Sequence, residues 1–557
     1  VSAGPPLGRR ALLAGAALAA AGAAGGRLGL AGPGRPPLEG GLVGAGAARG
    51  HRLREPTPPA AAGPAERTRV LIVGAGVAGL AAAWQLRRAG VRDVVVLELE
   101  DAPGGNARWG VSPVTAYPWG AHYLPLPGPE AADVRTLLRE LGAIERFGRD
   151  GRPVYDERHV CHAPQERLFI HGRWQEGLFP HTGASGDDLG QHEAFAAAVD
   201  GLRRWRDPAG RRAFAVPRAA GAPGALAELD RLSMADWLAG RGLRSERLRW
   251  YLEYGCRDDY GSSLAETSAW AGLHYHACRD PDPEYGEAVL TWPEGNGWLV
   301  AGLGALAGTP VHPGHVVVNV EPAGGEVAVD ALPPGRERPR RWLAREVVLA
   351  CPVMAAARIY APWRRRPPGF LAGFRYAPWL VANLHVERAP DDAPGAEPAW
   401  DNVLYDSPSL GYVVATHQAL RVRPGPTVLT YYRPFPGEAA GPARRELAAA
   451  PWSRWRDEIL ADLGRPHPGL ARVLRRLDVM PYGHAMVKPV VGFVCGAALA
   501  AARGALAGPV HLAHSDLSGF SLFEEALDWG CRAGRRVARR LGARRPSPIP
   551  APGERAG

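Results

Sequence analysis

Between residues 68 and 98 the apolar positions run unbroken, then recur every third or fourth residue, then run unbroken again, in TRVLIVGAGVAGLAAAWQLRRAGVRDVVVLE. Val70–Val73 is short enough for a buried strand, Gly79–Ala89 carries helical spacing and Val94–Glu98 is a second strand, which predicts a βαβ unit. Residues 190–260 are largely helical in pattern, and in SMADWLAGRGL Ser233 is placed to cap the helix that follows. Strand-like runs return at GHVVVNVEP, EVAVDAL and REVVLACP, then at YAPWLVANLHVE, LGYVVATHQ and PTVLTYYRP. A helix from about Leu522 to Arg540 is the last element, followed by a proline-rich tail, and no internal repeat is visible.

A chain of 557 residues implies two or more domains. Its 71 Gly, 54 Pro and alanine runs, with arginine in place of lysine, read as compositional bias of the source genome, which weakens arguments from Ala, Gly or Arg alone. The net charge of +10 is carried by the two ends, residues 1–68 and 531–557, and the body between them is slightly negative. A nucleic-acid partner would need a basic face on the folded domain, so none is expected. The start, LGRRALLAGAALAAAGAAGG, sets Arg9-Arg10 before a modest apolar segment and a small-residue exit, the order of a twin-arginine export signal. Export by the twin-arginine machinery to a periplasmic or other extracytoplasmic location is the expectation, with anchoring if the signal is retained. No later stretch is long and apolar enough for a stable membrane span. Six scattered cysteines without CxxC spacing exclude a disulfide scaffold or zinc module and leave an isolated bridge open.

Gly74-Ala75-Gly76-Val77-Ala78-Gly79 is GxGxxG between a predicted strand and a predicted helix, and Glu98 closes the next strand. The glycines permit a tight turn and close approach of a pyrophosphate to the helix N-terminus, and the acid accepts hydrogen bonds from a ribose. A second glycine pair, Gly104-Gly105, follows in LELEDAPGGNARWG, with Asn106 and then Arg108.

These segments resemble the flavin-containing amine oxidase superfamily, which includes monoamine and polyamine oxidases and the phytoene desaturases. The resemblance implies FAD, with Arg108 against the phosphates because Asn106 stands at the usual arginine position. It continues in YPWGAHYLP, a flavin-proximal segment with Gly120, Ala121 and His122, and in TWPEGNGWLVAGLGAL. By the same likeness Val320 would lie near the adenine. GPVHLAHSDLSGFSLFEEALDWGCRAG resembles the last FAD motif, with Asp516 on the ribityl chain and His514-Ser515 where Gly and an acid are usual. Ser521 and Glu524 have capping-box spacing, so Ser521 and Leu522 would open a helix aimed at the flavin. The fold class implied is α/β: a Rossmann-like FAD/NAD(P)-binding domain from residues 69–125, 290–355 and 485–540, plus an α+β substrate domain from 126–289 and 356–484. A signal at 1–26, a Pro/Gly/Ala-rich flexible linker at 27–68 and a tail at 541–557 complete the organisation.

Residues 250–280, WYLEYGCRDDYGSSLAETSAWAGLHYHACRD, are dense in aromatic and acidic groups. Tyr254, Asp258, Asp259 and Tyr260 are candidates for an aromatic-walled, cation-attracting cavity. Read as an extended strand, His274, His276 and Cys278 would share one face and raise a metal site, but no second ligand pair lies nearby and no metal is expected. Tyr412 and His417 are candidates for a further wall. The one lysine, Lys488 in MPYGHAMVKPVVGF, precedes the last FAD motif and is expected close to the flavin. Lys488, Tyr260, Asp259 and His417 are thus the catalytic candidates. The expected function is an FAD-dependent oxidoreductase that moves a hydride from an amine C–H to the flavin, with oxygen or another electron acceptor. The alternatives are a desaturase or isomerase of an apolar small molecule, and a flavin-binding scaffold without turnover.

Overall fold

A computed structural model describes residues 37–44, 46–56, 64–419, 425–437 and 440–543. The Arg9-Arg10 leader and the tail beyond residue 543 lie outside the described residues. Two large sheets organise the chain from Glu39 onward. The first runs Val311–His312, Val94–Leu97, Glu66–Val73, Arg340–Leu349, Glu326–Leu332 and Val316–Ala323, and Val510–Leu512 also pairs with the Arg340–Leu349 strand. Its pairings are parallel except for the last two of the run, which form an antiparallel meander.

Alternation splits the Glu66–Val73 strand between two cores. Val70 and Ile72 pack on the side of the Val77–Arg88 helix, and Leu71 and Val73 on the opposite side with Val347 and Leu349. Burial of both faces explains why this strand reads as an apolar run. The Val77–Arg88 helix is crossed by the Phe523–Arg540 helix at backbone distance: a Cβ at Gly530 would stand 2.2 Å from the Ala78 carbonyl oxygen. The expected cap of this last helix does not form. Leu522 is the N-cap residue and contributes no side-chain bond, Ser521 Oγ accepts from the Val487 N–H at 3.1 Å, and Glu524 instead pairs with Arg279 at 2.7 Å. A charged partner outcompetes a backbone N–H for that carboxylate. Ser233, by contrast, caps the Met234–Gly240 helix in a full capping box with Asp236.

The second sheet runs Glu39–Leu42, Leu474–Val487, Tyr376–Val386, Thr427–Pro434, Gly411–Val414, Asp401–Leu404, Glu166–Ile170 and Arg173–Glu176. Helices at Gly186–Arg204, Met234–Gly240, Glu246–Tyr260 and Ala269–Ala277 pack beside it around a core that includes Phe214, Trp237 and Trp270. His274, His276 and Cys278 therefore sit at a helix and its C-cap, and the extended-strand reading is corrected. Ser268 starts that helix by accepting the Trp270 N–H at 3.2 Å, and the small residues Ala269, Ala271 and Gly272 pack closely behind it.

The expected flexible linker also needs correction, because part of it is built into the fold. Glu39–Leu42 pairs in parallel with Arg476–Val479, and the short turns Ala47–His51 and Arg52–Arg54 follow. Gly40 makes the pairing possible: its φ is +129° and a Cβ there would fall 1.9 Å from the Leu477 carbonyl oxygen. Among the described residues all six cysteines are free.

Candidate functional site

Two cavities share one strip of wall, formed by Asn106, Ala121, Tyr482, Ala485, Ser521, Leu522 and Phe523. The larger, about 1770 Å³, is lined by Gly74, Gly76, Val77, Ala78, Glu98, Gly104 and Gly105. Gly74 takes φ +105° and leaves room beside the Ala350 carbonyl, which a Cβ would approach to 2.5 Å. The helix then starts at Val77, so its first-turn N–H groups, which lack intrahelical acceptors, lie at the cavity. Gly79 stands behind the wall: a Cβ would meet the Gly74 carbonyl at 1.9 Å, so this glycine seats the helix on the turn. Glu98 accepts from the Ala75 and Glu100 N–H groups at 2.6 and 2.8 Å and so shapes the turn as well as lining the cavity. Burial raises its carboxyl above the usual value, against the pull of those two N–H groups.

At the other side of this cavity Asp516 is 1% exposed. Its Oδ2 accepts from the Val353 N–H at 2.8 Å and from the Tyr376 hydroxyl at 2.7 Å. Its Oδ1 lies 3.1 Å from His514 Nδ1, and because that nitrogen accepts the Asp516 N–H, no donor reaches the oxygen while the ring carries no proton there. Burial alone would raise this carboxyl, but His514, Tyr376 and Val353 together hold it below the ordinary range. A buried carboxylate oxygen without a donor on a cavity wall fits a ligand hydroxyl.

Two expected residues do not line this cavity. Val320 is fully buried in the core, and Val317 lines the wall instead. A bulge between Val317 and Asn319 breaks the alternation of that strand. Arg108 turns to Glu100 at 3.2 Å and to Met480 Sδ at 3.3 Å, and it lies off the wall. Asn106 gives its amide to the Ala485 carbonyl at 2.6 Å. Lys488 does line the cavity, but its ammonium is committed to the Glu266 carboxylate and, at 3.2 Å, to the Gly437 carbonyl.

The smaller cavity, about 990 Å³, lies beyond the shared strip and reaches the surface beside Gly286 and Glu287. The Glu246–Tyr260 helix turns Tyr251, Tyr254, Asp258 and Asp259 toward it. Tyr260 falls on the opposite side of that helix, fully buried, with its hydroxyl on the Ala271 carbonyl at 2.9 Å, which removes it from the candidate set. His417 is likewise off the wall and bonds the His162 carbonyl at 2.7 Å, in the turn after the Gly411–Val414 strand. Tyr412 lines the cavity, with its hydroxyl on His467 Nε2 at 2.7 Å. Gly120 and His122 also line it, and the His122 ring stacks on Tyr432 at 4.5 Å. Burial lowers that imidazole to about 4, so it is neutral at pH 7.

Sequence reasoning missed Glu166 and Asp401, which are register partners on neighbouring parallel strands and both line this cavity. Their pairing joins segments far apart in the chain, and nothing local announces it. Burial pushes Glu166 up to about 7, and burial with the charges of Asp258 and Glu166 pushes Asp401 well above the carboxylate range. Asp258 and Asp259 are raised too, by burial first, and Asp259 further by Asp258. Tyr123 and Tyr254 hydroxyls sit 3.4 Å from Asp258 and Asp401 respectively. Four acids that burial holds toward the neutral form make a cavity that gains from receiving a cation. Among the described residues no group of three or more His, Cys, Asp or Glu is arranged to hold a metal ion.

Residues 72–141 match the family described as an NAD(P)-binding Rossmann-like domain. Solved structures share the whole fold. A redesigned putrescine oxidase superposes with a TM-score of 0.62 at 18% identity, covering 86% of this chain and 100% of that one. Cyclohexylamine oxidase from Brevibacterium oxydans IH-35A gives 0.58 at 17%, covering 85% and 99%. A fatty acid isomerase from P. acnes gives 0.57 at 14%, covering 84% and 98%. At such identities the likeness is one of fold. No curated protein sequence matches.

Proposed function

We propose that this chain is an FAD-dependent oxidoreductase that oxidises an amine at the C–H bond next to nitrogen. One observation carries the reading: a cavity with a glycine turn and the donorless Asp516 oxygen meets, across a shared strip, a second cavity lined by raised carboxylates. The larger cavity fits a dinucleotide, with the Gly76–Ala78 backbone at its phosphates, Glu98 at a ribose and Asp516 at a ribityl hydroxyl. FAD bound there would supply the hydride acceptor. The raised carboxylates of the smaller cavity support an amine over an apolar substrate, since the fold itself is shared by amine-acting proteins and by a fatty acid isomerase alike.

The residues of the smaller cavity have separable roles in this reading. Asp258, Asp401 and Glu166 draw an ammonium from solvent, and as it arrives they release the protons that burial keeps on them. Tyr254, Tyr275 and Trp400 wall the substrate and exclude water. His122, neutral and stacked on Tyr432, packs next to the shared strip without adding a competing positive charge. No buried nucleophile is needed, because the bond change takes place between substrate and cofactor. The opening beside Glu287 gives a substrate a route in, which favours turnover over a binding-only role. We further propose export of the chain through its Arg9-Arg10 leader. Among the described residues no helix is long and apolar enough to cross a membrane.

The test is spectroscopic. The purified full chain should show flavin absorption bands, and anaerobic addition of primary diamines and cyclic amines should bleach them. At pH 6.5 the binding heat of an amine should vary with the ionisation enthalpy of the buffer, reporting proton release. A folded protein with flavin that no amine bleaches would sink the amine assignment. A folded protein unable to take up FAD would sink the whole reading.

A further inference from the structure

The mouth of the larger cavity carries a cluster of basic side chains from four separate parts of the chain. His51 and Arg54 come from the N-terminal turns, Arg358 from the Val353–Ile359 helix, Arg444 from the Ala440–Ala449 helix and His484 from the Leu474–Val487 strand, and all five line the cavity. Among the described residues none of the five has a carboxylate partner. Arg444 donates only to the carbonyls of Gly483 at 2.7 Å and Tyr376 at 2.6 Å. The half-buried His484 is lowered to about 4 by burial and by the charges of Arg444, Arg54, His51 and Arg358, so at pH 7 it meets the cavity as a neutral imidazole that can still donate a hydrogen bond.

The acids of the same cavity are already engaged. Glu98 holds two backbone N–H groups, Glu100 holds the Gly46 N–H and Arg108, and Glu266 holds Lys488. Asp516 holds Val353 and Tyr376. Nor do the two candidates of the Gly104-Gly105 segment supply positive charge to this wall, since Asn106 is neutral and Arg108 faces Glu100. A cavity whose Arg54, Arg358 and Arg444 have no carboxylate partner among the described residues, and whose acids are engaged, calls for an anion with several oxygens.

The segment that brings in His51 and Arg54 is fastened at both ends. Residues 39–42 pair with the Leu474–Val487 strand of one sheet. Gly46 N–H and Arg49 reach Glu100, the Leu99 carbonyl and Asp101 beside the other sheet, at 2.6, 3.0 and 2.5 Å. Arg52 pairs with Glu337 at 2.7 Å. Residues 39–44 and 46–54 thus form a strap that ties the two sheets together at the cavity.

We propose that this strap is part of the dinucleotide site, and that His51, Arg54, Arg358, Arg444 and His484 clamp the phosphates of the bound dinucleotide. The inference rests on the dinucleotide reading above, and its test separates the two. Full-length protein, reversibly stripped of flavin, is titrated with FAD and with riboflavin, which has the same ring and no phosphate, by quenching of flavin fluorescence at rising salt. FAD should bind more tightly than riboflavin and weaken with salt, whereas riboflavin binding should be nearly salt-independent. The exposed, unpaired Arg54 and Arg358 tolerate replacement. Arg54→Gln with Arg358→Gln should weaken FAD roughly tenfold per arginine and change riboflavin by less than about twofold. Bound FAD, but not riboflavin, should slow tryptic cleavage at Arg49, Arg52 and Arg54.

Wild-type protein that binds FAD while the double variant matches it in affinity and salt slope overturns the clamp and leaves the dinucleotide reading standing. Equal losses for FAD and riboflavin overturn it as well, because they signal general damage. Inorganic phosphate that binds the FAD-loaded wild type but not the loaded variant assigns the cluster to a separate anion and overturns the dinucleotide assignment. Folded wild type that binds neither flavin overturns both readings.

Discussion

The ammonium of Lys488 lies between the Glu266 carboxylate and the Gly437 carbonyl, with 4% of its side chain exposed. Its partner Glu266 also takes the Ser263 and Gly437 N–H groups, so the pair pins three segments beside the cavity. Lys488 and the hydrogen bonds hold that carboxyl below its usual value against the opposing effect of burial. Replacing Lys488 with Met would leave a buried carboxylate uncompensated, at a cost of about 3–5 kcal/mol. Urea denaturation should show that loss, and Lys488→Met with Glu266→Gln should recover much of it. Flavin reduction by an amine should keep its wild-type rate in Lys488→Met, and a large drop there would return Lys488 to the chemistry. The lysine stood out in the sequence because the chain uses arginine almost everywhere else, yet rarity carries no information about what a side chain touches. Ser521 teaches the same at closer range: capping-box spacing existed, but Val487 and Arg279 claimed the two side chains first.

At the scale of single elements, legibility followed how local the determining contacts are. The strand, turn and helix of residues 66–88 could be read in type and order, because Gly74, Gly76 and Gly79 answer constraints within one turn, although the strand begins four residues before Val70 and the helix two before Gly79. The Glu246–Tyr260 helix was legible as a helix, whereas the face it turns to the cavity depends on what packs behind it. Ala271, whose carbonyl takes the Tyr260 hydroxyl, fixes that face, and so Tyr254, Asp258 and Asp259 enter the site and Tyr260 does not. Gly530 offers a test of the helix pair that supports the turn. Gly530→Leu would drive a side chain into the Ala78 carbonyl and Ala81, so the two helices must part. We expect a loss of several kcal/mol and weaker FAD binding, seen by thermal denaturation and flavin titration. Ala at solvent-facing Gly304, with nothing near its Cβ, should cause no loss.

Across the whole molecule the acidic cavity is assembled from the ends of distant elements, and its energetics show only in the assembled state. Glu166, raised to about 7, and Asp258, Asp259 and Asp401, raised mainly by burial, retain protons when folded that the unfolded chain gives up near pH 4. Between about pH 4 and 8 the folded state therefore binds more protons than the unfolded state, and the contribution of these acids to stability falls as pH rises through that window. Urea midpoints of the ligand-free protein, compared at pH 5 and pH 7.5, should fall less for Asp259→Asn than for the wild type. A wild-type midpoint that rises with pH at least as steeply as that of the variant would contradict the burial of these acids. Asp258 and Asp259 were legible as candidates for a cation-attracting cavity, but Glu166 and Asp401 were not, because a carboxylate next to a tyrosine in the sequence says nothing about further carboxylates brought in by strands from elsewhere.

The Arg340–Leu349 strand takes one neighbour from Glu66–Val73 and another from Val510–Leu512, and the Phe523–Arg540 helix lies on the helix that follows the glycine turn. During translation the first βαβ unit thus emerges long before the surface that will cover it. Its apolar faces must wait, shielded by transient contacts or by a chaperone, until the final helix leaves the ribosome. Cofactor capture is then a late, post-translational event, and a nonsense codon anywhere before that helix would yield a chain that aggregates instead of a smaller flavoprotein.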